Sequence, residues 1–248
     1  SGLESLPELC EVFATGAGRV EFQPHARDGD PIEPGQALAT LRGPTRAIVR
    51  LERTMLNLIS RMSGVATRTR RFVSAIPEGS RARLYDTRKT TPGWRAFEKY
   101  AVRCGGGSTH RIGLYDAVLL KDNHLASLPV GELRARLEAG ARRVRAEHDL
   151  RFFEVEVDTL AQLDAVLGVE SGLIDVIMLD NFSVEDLRRG VAMRDERGAP
   201  IELEASGGVT LETIASIAGA GVERVSVGSL THHAVSLDLG LDIEPVTR

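Results

Sequence analysis

The sequence predicts an α/β protein in which a parallel α/β barrel forms the larger part and a smaller N-terminal α/β domain precedes it. Three observations point there. Strand-like and helix-like segments alternate from about residue 76 onward. The carboxyl ends of the strand-like segments are crowded with polar residues. The first 50 residues have a different texture, short and rich in turn residues. Alternating βα units imply a parallel sheet. An open, doubly wound sheet would give a similar string. Polar strand ends favour the barrel, whose active site is built at that face.

The first domain is assigned to residues 1–75. A short amphipathic segment, PELCEVF, is followed by short strands broken at ARDGDPIEPGQ (26–36), where Asp-Gly, Asp-Pro and Pro-Gly are turn chemistry. ALATLRGPTRAIV then supplies further extended residues. This stretch looks like the hammerhead half-motif of lipoyl and biotinyl carriers. No lysine precedes Lys89, so no attachment point exists, and a packing role is the better reading. Residues 51–76 read as a long helix, interrupted near Ser63-Gly64, with Leu51, Met55, Leu58 and Ile59 on one face.

The barrel is assigned to residues 76–236, with the tail 237–248 packing back on the first domain. Its strands are RLYDT (83–87), AVLLKDN (117–123), FFEVEVD (152–158), VIMLDN (176–181), IELEAS (201–206) and RVSVGS (224–229). Helices at 129–147, 159–168, 183–196 and 210–219 connect them. Side chains alternate across a strand, so Glu154, Glu156 and Asp158 oppose Phe153, Val155 and Val157. Likewise Glu202, Glu204 and Ser206 oppose Ile201, Leu203 and Ala205. The apolar rows should meet the helices, leaving carboxylates aimed inward. Buried carboxylates are costly unless paired or metal-bound, which argues for a basic or metal-containing interior.

Composition narrows the function. Net charge is −4 over 248 residues, with both signs interspersed. No basic patch suggests nucleic acid, and no apolar run is long enough for a membrane helix. Cys10 and Cys104 give neither a disulfide framework nor metal spacing, so a reducing, cytoplasmic setting is expected. Lys89, Lys99 and Lys121 are the only lysines among 31 basic residues. Codon bias explains an arginine excess but not three lysines within one stretch of 33 residues. A compact ammonium is not always replaceable by a planar fork.

The densest chemistry lies in DTRKTTPGWRAFEKYAVRCGGGSTHRIGLYDAVLLKDNH (86–124). Arg88, Lys89, Arg111 and Lys121 suit anions, and a protonated His110 would add a fifth cation. So many cations in a net acidic chain predict an anionic substrate. Cys104 opens a flexible Gly-Gly-Gly loop and lacks the partners of a nucleophile. A second site is ASGGVT (205–210), where Ser206, Gly207 and Gly208 would present backbone N–H groups at a helix N-terminus. Gly228 ends the next strand, and paired glycine loops after the last strands are the usual phosphate grip of a barrel.

The motifs DTRKTTPG, EKYAVRCGGGSTHRIGLYDAVLLKDNH, EVEVDTL, IMLDNF, LEASGGVTLE and RVSVGSLTH resemble, in order and over nearly the whole chain, the quinolinate phosphoribosyltransferase (carboxylating nicotinate-nucleotide pyrophosphorylase) family. ERTMLNLISRMSGVAT is similar to that family's domain-junction helix. The resemblance implies an incomplete, seven-stranded parallel α/β barrel with a small N-terminal α/β (hammerhead-like) domain. It also implies a homodimer or an oligomer of dimers. Family members carry several dozen residues before the segment matching SGLESL, so a first domain shortened at its N-terminus is expected.

The activity implied is transfer of phosphoribosyl from phosphoribosyl pyrophosphate to quinolinate, with decarboxylation and Mg²⁺ as cofactor. Quinolinate would be held by Arg88, His110, Arg111 and Lys121, with Arg53 completing the neighbouring subunit's site. Lys89 would contact the donor. Glu156 and Asp180 match ribose- and Mg²⁺-associated carboxylates, acting on the metal partly through substrate and water. Ser206, Gly207, Gly208 and Gly228 would grip the 5′-phosphate, and Glu204 would stand behind the metal site.

Plainer readings exist for each. Arg53 reads as a solvated helix residue, His110 as a loop cap, and Lys89 as a surface lysine. Glu156 and Asp180 read as structural ion-pair partners. Asn123, His124 and Asn181 read as strand-end residues satisfying loop backbone. Trp94 and His232-His233 read as structural. Rival functions are a same-fold transferase of a molybdate operon or a nicotinate-type transferase, a Schiff-base aldolase using Lys89 or Lys121, and a carrier-like scaffold.

Overall fold

The computed structural model describes residues 1–14, 18–125 and 128–244. Its contacts divide it into two units. One comprises Ser1–Arg70, Thr90–Gly106 and Ser229–Arg248, the other Arg71–Lys89 and Gly107–Gly228.

In the first unit, helix α1 (Leu6–Ala14) precedes an antiparallel pair, β1 (Glu21–Pro24) and β2 (Ala39–Arg42), with Phe22 opposite Leu41. Gly43-Pro44 ends the pair, and α2 (Thr45–Ser74) begins at once. TRAIV, read as extended, is therefore its first turns. Pro44 supplies the carbonyl that the Ala47 and Ile48 amides need there, and its fixed φ suits a helix start. Ala47, Ile48, Leu51, Met55 and Ile59 then form one buried stripe against Leu3, Leu6, Cys10 and Val20.

The expected interruption at Ser63-Gly64 does not occur, since α2 runs unbroken through it. Gly64 serves close approach instead. A Cβ there would lie 2.0 Å from the Val235 carbonyl oxygen. The C-terminal segment thus crosses the helix where no side chain stands. Leu237 N donates to Ser60 O at 3.1 Å, and Leu239 and Leu241 pack on the same core. Residues 245–248 of the tail lie outside the described residues. Helices α3 (Arg95–Cys104) and α9 (Ser229–His232) also belong to this unit. Gly105 is buried against Ala66 and Thr69 of α2, so the start of the glycine run is packed rather than loose.

The second unit is the sheet and its helices. All six strands read from the sequence are present: β3 (Arg83–Tyr85), β4 (Val118–Leu120), β5 (Phe153–Val157), β6 (Val176–Asp180), β7 (Glu202–Ser206) and β8 (Arg224–Ser226). They are parallel, in the order β3-β8-β7-β6-β5-β4. The seventh place of the implied barrel is held by one residue among those described, Ser108, which bridges Tyr85 in parallel. Between the strands stand α4 (Asp122–Leu125), α5 (Val130–Glu147), α6 (Leu160–Leu167), α7 (Val184–Glu196) and α8 (Ile214–Ala218). A capping box from Thr159 and Gln162 opens α6, and Ser183 caps α7.

The sheet is strongly curled. Tyr85 on β3 and Phe152 beside β5 would sit about 19 Å apart across four flat inter-strand steps. Yet the Arg224 guanidinium lies 4.1 Å from one ring centroid and 5.0 Å from the other. The parity expected from the sequence is seen. Phe153, Val155, Val157, Leu203 and Ala205 are buried on the helix side, as is the Ile177–Leu179 row. Glu156, Met178, Glu204 and Arg224 stand in register along the inner face. Glu202 is the exception: at the start of β7 it is exposed and meets Arg224 at 3.5 Å.

Candidate active site

The carboxyl ends of the strands bring together residues far apart in sequence. Arg88 and Lys89 follow β3, Lys121 follows β4, Glu156 lies near the end of β5, and Asp180 and Ser206 close β6 and β7. Gly228 follows β8, and His110-Arg111 follow the Ser108 bridge. Parallel strands with one-way connections force this convergence, because every strand ends at the same rim.

Arg111 is buried, which disfavours its charge, and the Arg88 guanidinium lowers its pKa further. Glu154, Asp116 and Glu156 oppose that effect. Two guanidiniums thus crowd one spot with carboxylates around them, an arrangement that an anionic ligand would relieve. Arg88 Nε is itself buried without a hydrogen-bond partner. Lys121 Nζ lies 3.8 Å from Glu156 Oε2 while remaining half exposed. Lys89 is exposed on the same rim, its amide bonded to Thr87 Oγ1 at 3.0 Å.

The acidic side is as ordered. Burial raises the Glu156 pKa, Lys121 pulls it down, and Asp180 pushes it up. Asp158 is raised by burial and by Asp122 and Asp180. Hard carboxylate oxygens close enough for Asp180 to disfavour the charge on both Glu156 and Asp158 fit a dication such as Mg²⁺. Among the described residues, the one group of three close ligating side chains lies elsewhere, at His110, Glu154 and Glu204. Glu156 and Asp180 therefore suit an ion that completes its shell with substrate oxygens and water.

The glycine loops differ from expectation. Gly207 and Gly208 have φ of 92° and 58°, but the helix after them starts only at Ile214 and spans five residues. A helix N-terminus at Ser206-Gly207-Gly208 is thus corrected to a loop, with backbone groups but little dipole behind them. Gly207 is required sterically, since a Cβ would lie 2.1 Å from Asn181 Oδ1.

His110 is where sequence reasoning reached least far. Its Nε2 lies 3.0 Å from Glu154 Oε2 and 3.3 Å from Glu204 Oε1. Burial opposes a charge on the ring and the two carboxylates favour one; the charged ring would carry a proton on both nitrogens, so the Nδ1 contact with the Arg111 N–H belongs to the neutral ring protonated at Nε2. Its Nδ1 accepts the Arg111 N–H at 2.9 Å, and its own N–H donates to Asp86 Oδ1 at 2.9 Å. An Nδ1 that accepts cannot also carry a proton, so any proton between ring and carboxylates sits on the Nε2 side. Arg224 Nε donates to Glu204 Oε2 at 2.6 Å. Asp86 and Arg224 were unassigned from sequence, and only the fold names their partners.

Other residues stay apart. Arg53 is 76% exposed on α2, 3.9 Å from its neighbour Glu52. Cys104 is half-buried at the end of α3. His232 and His233 stack edge to face in the first unit. A depression of about 520 Å³ lies at the opposite, amino ends of the strands, where Arg194 is already bound to Glu223, Asp195 and the Ile201 carbonyl. No helix among the described residues is long and apolar enough to cross a membrane.

Known proteins resemble this chain over nearly its whole length. The family models described as quinolinate phosphoribosyl transferase, N-terminal domain and C-terminal domain, match residues 1–63 and 65–242. A nicotinate-nucleotide pyrophosphorylase [carboxylating] of Mycobacterium leprae is 46% identical over 95% of this chain and 78% of its own length. A quinolinate phosphoribosyltransferase [decarboxylating] of tobacco is 36% identical over 94% of this chain and 68% of its own. The crystal structure of NadC from Streptococcus pyogenes superposes with a TM-score of 0.83 at 37% identity, covering 96% of this chain and 79% of that one. The nicotinate-nucleotide pyrophosphorylase of Francisella tularensis gives 0.82 at 35%, over 96% and 79%. With both domain models matched in order and relatives aligned over most of their length, the chain belongs to the quinolinate phosphoribosyltransferase family.

Proposed function

We propose that this chain transfers the phosphoribosyl group of phosphoribosyl pyrophosphate to the ring nitrogen of quinolinate, with loss of CO₂, giving nicotinate mononucleotide and pyrophosphate. The observation that carries this reading is the rim itself. Arg88 acts on Arg111, Glu156 stands between the influence of Arg111 and that of Lys121, and Asp180 acts on Glu156, inside a chain matched by both domain models of the family.

Arg88, Arg111 and Lys121 hold the two ring carboxylates, the guanidiniums as forks and the ammonium as a point charge. They place the ring nitrogen in line with the anomeric carbon. Lys89 meets the donor, and the Ser206–Gly208 and Gly228 loops take the 5′-phosphate through backbone N–H groups. Glu156 and Asp180 face the ribose and stabilise positive charge as the carbon–oxygen bond to pyrophosphate lengthens. Glu156 and Asp180 would hold Mg²⁺, which would supply positive charge to offset the negative charge of the departing pyrophosphate. Ribosylation makes the ring a pyridinium, which accepts the electron pair released when the adjacent carboxylate leaves as CO₂.

The chain acts as a homodimer or an oligomer of dimers, with Arg53 of each subunit completing its neighbour's quinolinate pocket. Its exposure on α2 suits that role. The two unpaired thiols suit a reducing, cytoplasmic setting. Purified protein given quinolinate, donor and Mg²⁺ should form nicotinate mononucleotide and CO₂ in equal amounts. Turnover of nicotinate but not quinolinate would overturn the assignment, and a borohydride-trapped adduct on Lys89 or Lys121 would favour an aldolase.

A further inference from the structure

We propose that Glu98 and Arg61 are positioning residues for the donor: they tie the segment that follows Lys89 and the segment that follows Gly228 to one helix, α2, and so set the affinity for phosphoribosyl pyrophosphate. The proposal rests on the assignment of Lys89 and Gly228 to the donor and goes beyond it.

Four observations carry it. First, the chain enters the unit that holds most of α2 at Thr90, directly after Lys89, and enters it again at Ser229, directly after Gly228. Second, Thr90 and Thr91 are firmly fastened. Glu98 Oε2 accepts the Thr91 N–H at 3.0 Å, and Glu98 Oε1 accepts the Thr91 hydroxyl at 2.8 Å. Thr91 O accepts the Trp94 N–H at 3.0 Å across Pro92 and Gly93, whose φ of 79° after a proline is the signature of a type II turn. Arg95 Nε donates to Thr90 Oγ1 at 3.2 Å. Third, the same carboxylate is joined to α2. Arg61 donates to Glu98 Oε1 from Nε at 3.1 Å and from Nη2 at 2.7 Å. Arg61 also holds the second entry, donating from Nη1 to Ala234 O at 2.7 Å and from Nη2 to Thr231 O at 2.6 Å. Fourth, Arg68 lies about two helical turns further along α2 and grips Ser229 itself. Its Nε donates to Ser229 O at 2.7 Å and its Nη2 to Ser229 Oγ at 3.1 Å.

Physical cost supports the same conclusion. Glu98 is fully buried and bonded through both oxygens, so it cannot itself meet a substrate. A buried ion pair is no efficient way to stabilise a fold, since apolar side chains of equal volume do it as well or better. It is efficient at fixing a geometry when every member is satisfied, because each group can then be satisfied in only one arrangement. That condition is met: among the described residues, no buried side-chain atom of Arg61, Thr91 or Glu98 lacks a partner. The two segments have little regular structure of their own to hold them. Residues 86–94 form neither helix nor strand, and α9 spans only four residues. Loops of that kind lose entropy when a ligand orders them, and fixing them beforehand removes that cost from binding.

The experiment compares Glu98→Gln, Arg61→Lys, Thr91→Val and Thr91→Ser in the full chain, with kcat and separate Michaelis constants for donor and quinolinate. Melting temperature is read alongside. The amide nitrogen of glutamine cannot accept, so Glu98→Gln must release Arg61 or Thr91. It should raise the donor KM by about tenfold, as loss of a group that orients binding residues does. The quinolinate KM should stay within about threefold, because Arg88 lies closer in the chain to β3 than Lys89 does. Arg61→Lys keeps the charge but not the fork, and should behave like Glu98→Gln. Thr91→Val loses the hydroxyl donor and should raise the donor KM by about threefold, whereas Thr91→Ser keeps it and should stay within about twofold of wild type. A folded Glu98→Gln with wild-type donor KM would overturn the proposal. So would an equal rise in both KM values, which a merely structural role predicts, or equal damage from Val and Ser. If the Gln and Lys variants fail to fold, the Val–Ser comparison decides. A wild-type enzyme that does not consume phosphoribosyl pyrophosphate refutes the assignment of the donor site; an active one with unaffected variants refutes this inference alone.

Discussion

Asn181 holds Asp180. Its Nδ2 donates to Asp180 Oδ2 at 2.6 Å, and it does so from a left-handed backbone, φ 56°, the one such non-glycine among the described residues. Asparagine tolerates that conformation better than other side chains do. Its backbone is also tied to β7, since Asn181 N donates to Ser206 O at 2.8 Å. One residue therefore joins the acidic group proposed for the ribose and Mg²⁺ to the loop proposed for the 5′-phosphate.

Two substitutions separate its backbone role from its amide. Asn181→Gly keeps the left-handed turn and loses the amide, while Asn181→Ala loses both. Each should lower kcat/KM for the donor by about tenfold, the worth of one hydrogen bond to a charged group. Only Asn181→Ala should also lose about 1 kcal/mol of stability by thermal denaturation. A glycine variant with wild-type kcat/KM would show that the amide does not orient Asp180.

The rim cations should divide by substrate. Arg88→Ala and Lys121→Ala should raise the quinolinate KM by at least about tenfold and leave the donor KM within about twofold. Lys89→Ala should show the opposite pattern. Steady-state kinetics with each substrate varied in turn checks this, and a reversed pattern would exchange the assignments.

The sequence made much of this legible, for reasons visible at particular residues. Period-two alternation placed Glu154, Glu156 and Glu204 on the inner face, because strand parity does not depend on what lies opposite. It overreached at Glu202, which begins β7 at the open end of the sheet, where an inward direction still meets solvent. Gly64 was read as a helix break because glycine is on average unfavourable in a helix. Here a distant segment at Val235 needs the missing side chain. Ser206-Gly207-Gly208 was read as a helix start because the pattern resumes soon after, yet the turns at 209–213 delay it to Ile214. The direction of the His110 ring could not be read at all, since Glu154 and Glu204 reach it from two strands far apart in the chain.

If Arg53 of the partner subunit completes each pocket, two inactive variants should rescue each other. Arg53→Ala and Lys121→Ala remove groups from opposite sides of the same shared site. Mixed by unfolding together and refolding, half the dimers carry one intact site and one doubly defective site. Activity should then recover to about a quarter of wild type for a two-fold symmetric dimer. Recovery should follow subunit exchange over time. A mixture that stays at the level of its components would place Arg53 outside the site and return it to the solvated face of α2.

Asp116 anchors the loop that leaves Arg111. Its carboxylate accepts from the Ile112 N–H at 2.8 Å, the Gly113 N–H at 3.0 Å and Arg151 at 3.0 Å. Burial acts to raise its pKa, but these donors outweigh burial and hold it below the usual carboxylate range. A depressed folded pKa contributes stability above the unfolded value of about 3.9, and that contribution is lost as pH falls through the folded value. Asp116→Asn should therefore be less stable than wild type at neutral pH, with the gap closing as pH drops below about 4. Arg111 sits at the base of this loop, so the same variant should raise the quinolinate KM at neutral pH. Melting curves across an acid series, beside kinetics at one pH, test both. A gap that persists unchanged into strong acid would mean that the loop is held by packing and not by the charge on Asp116.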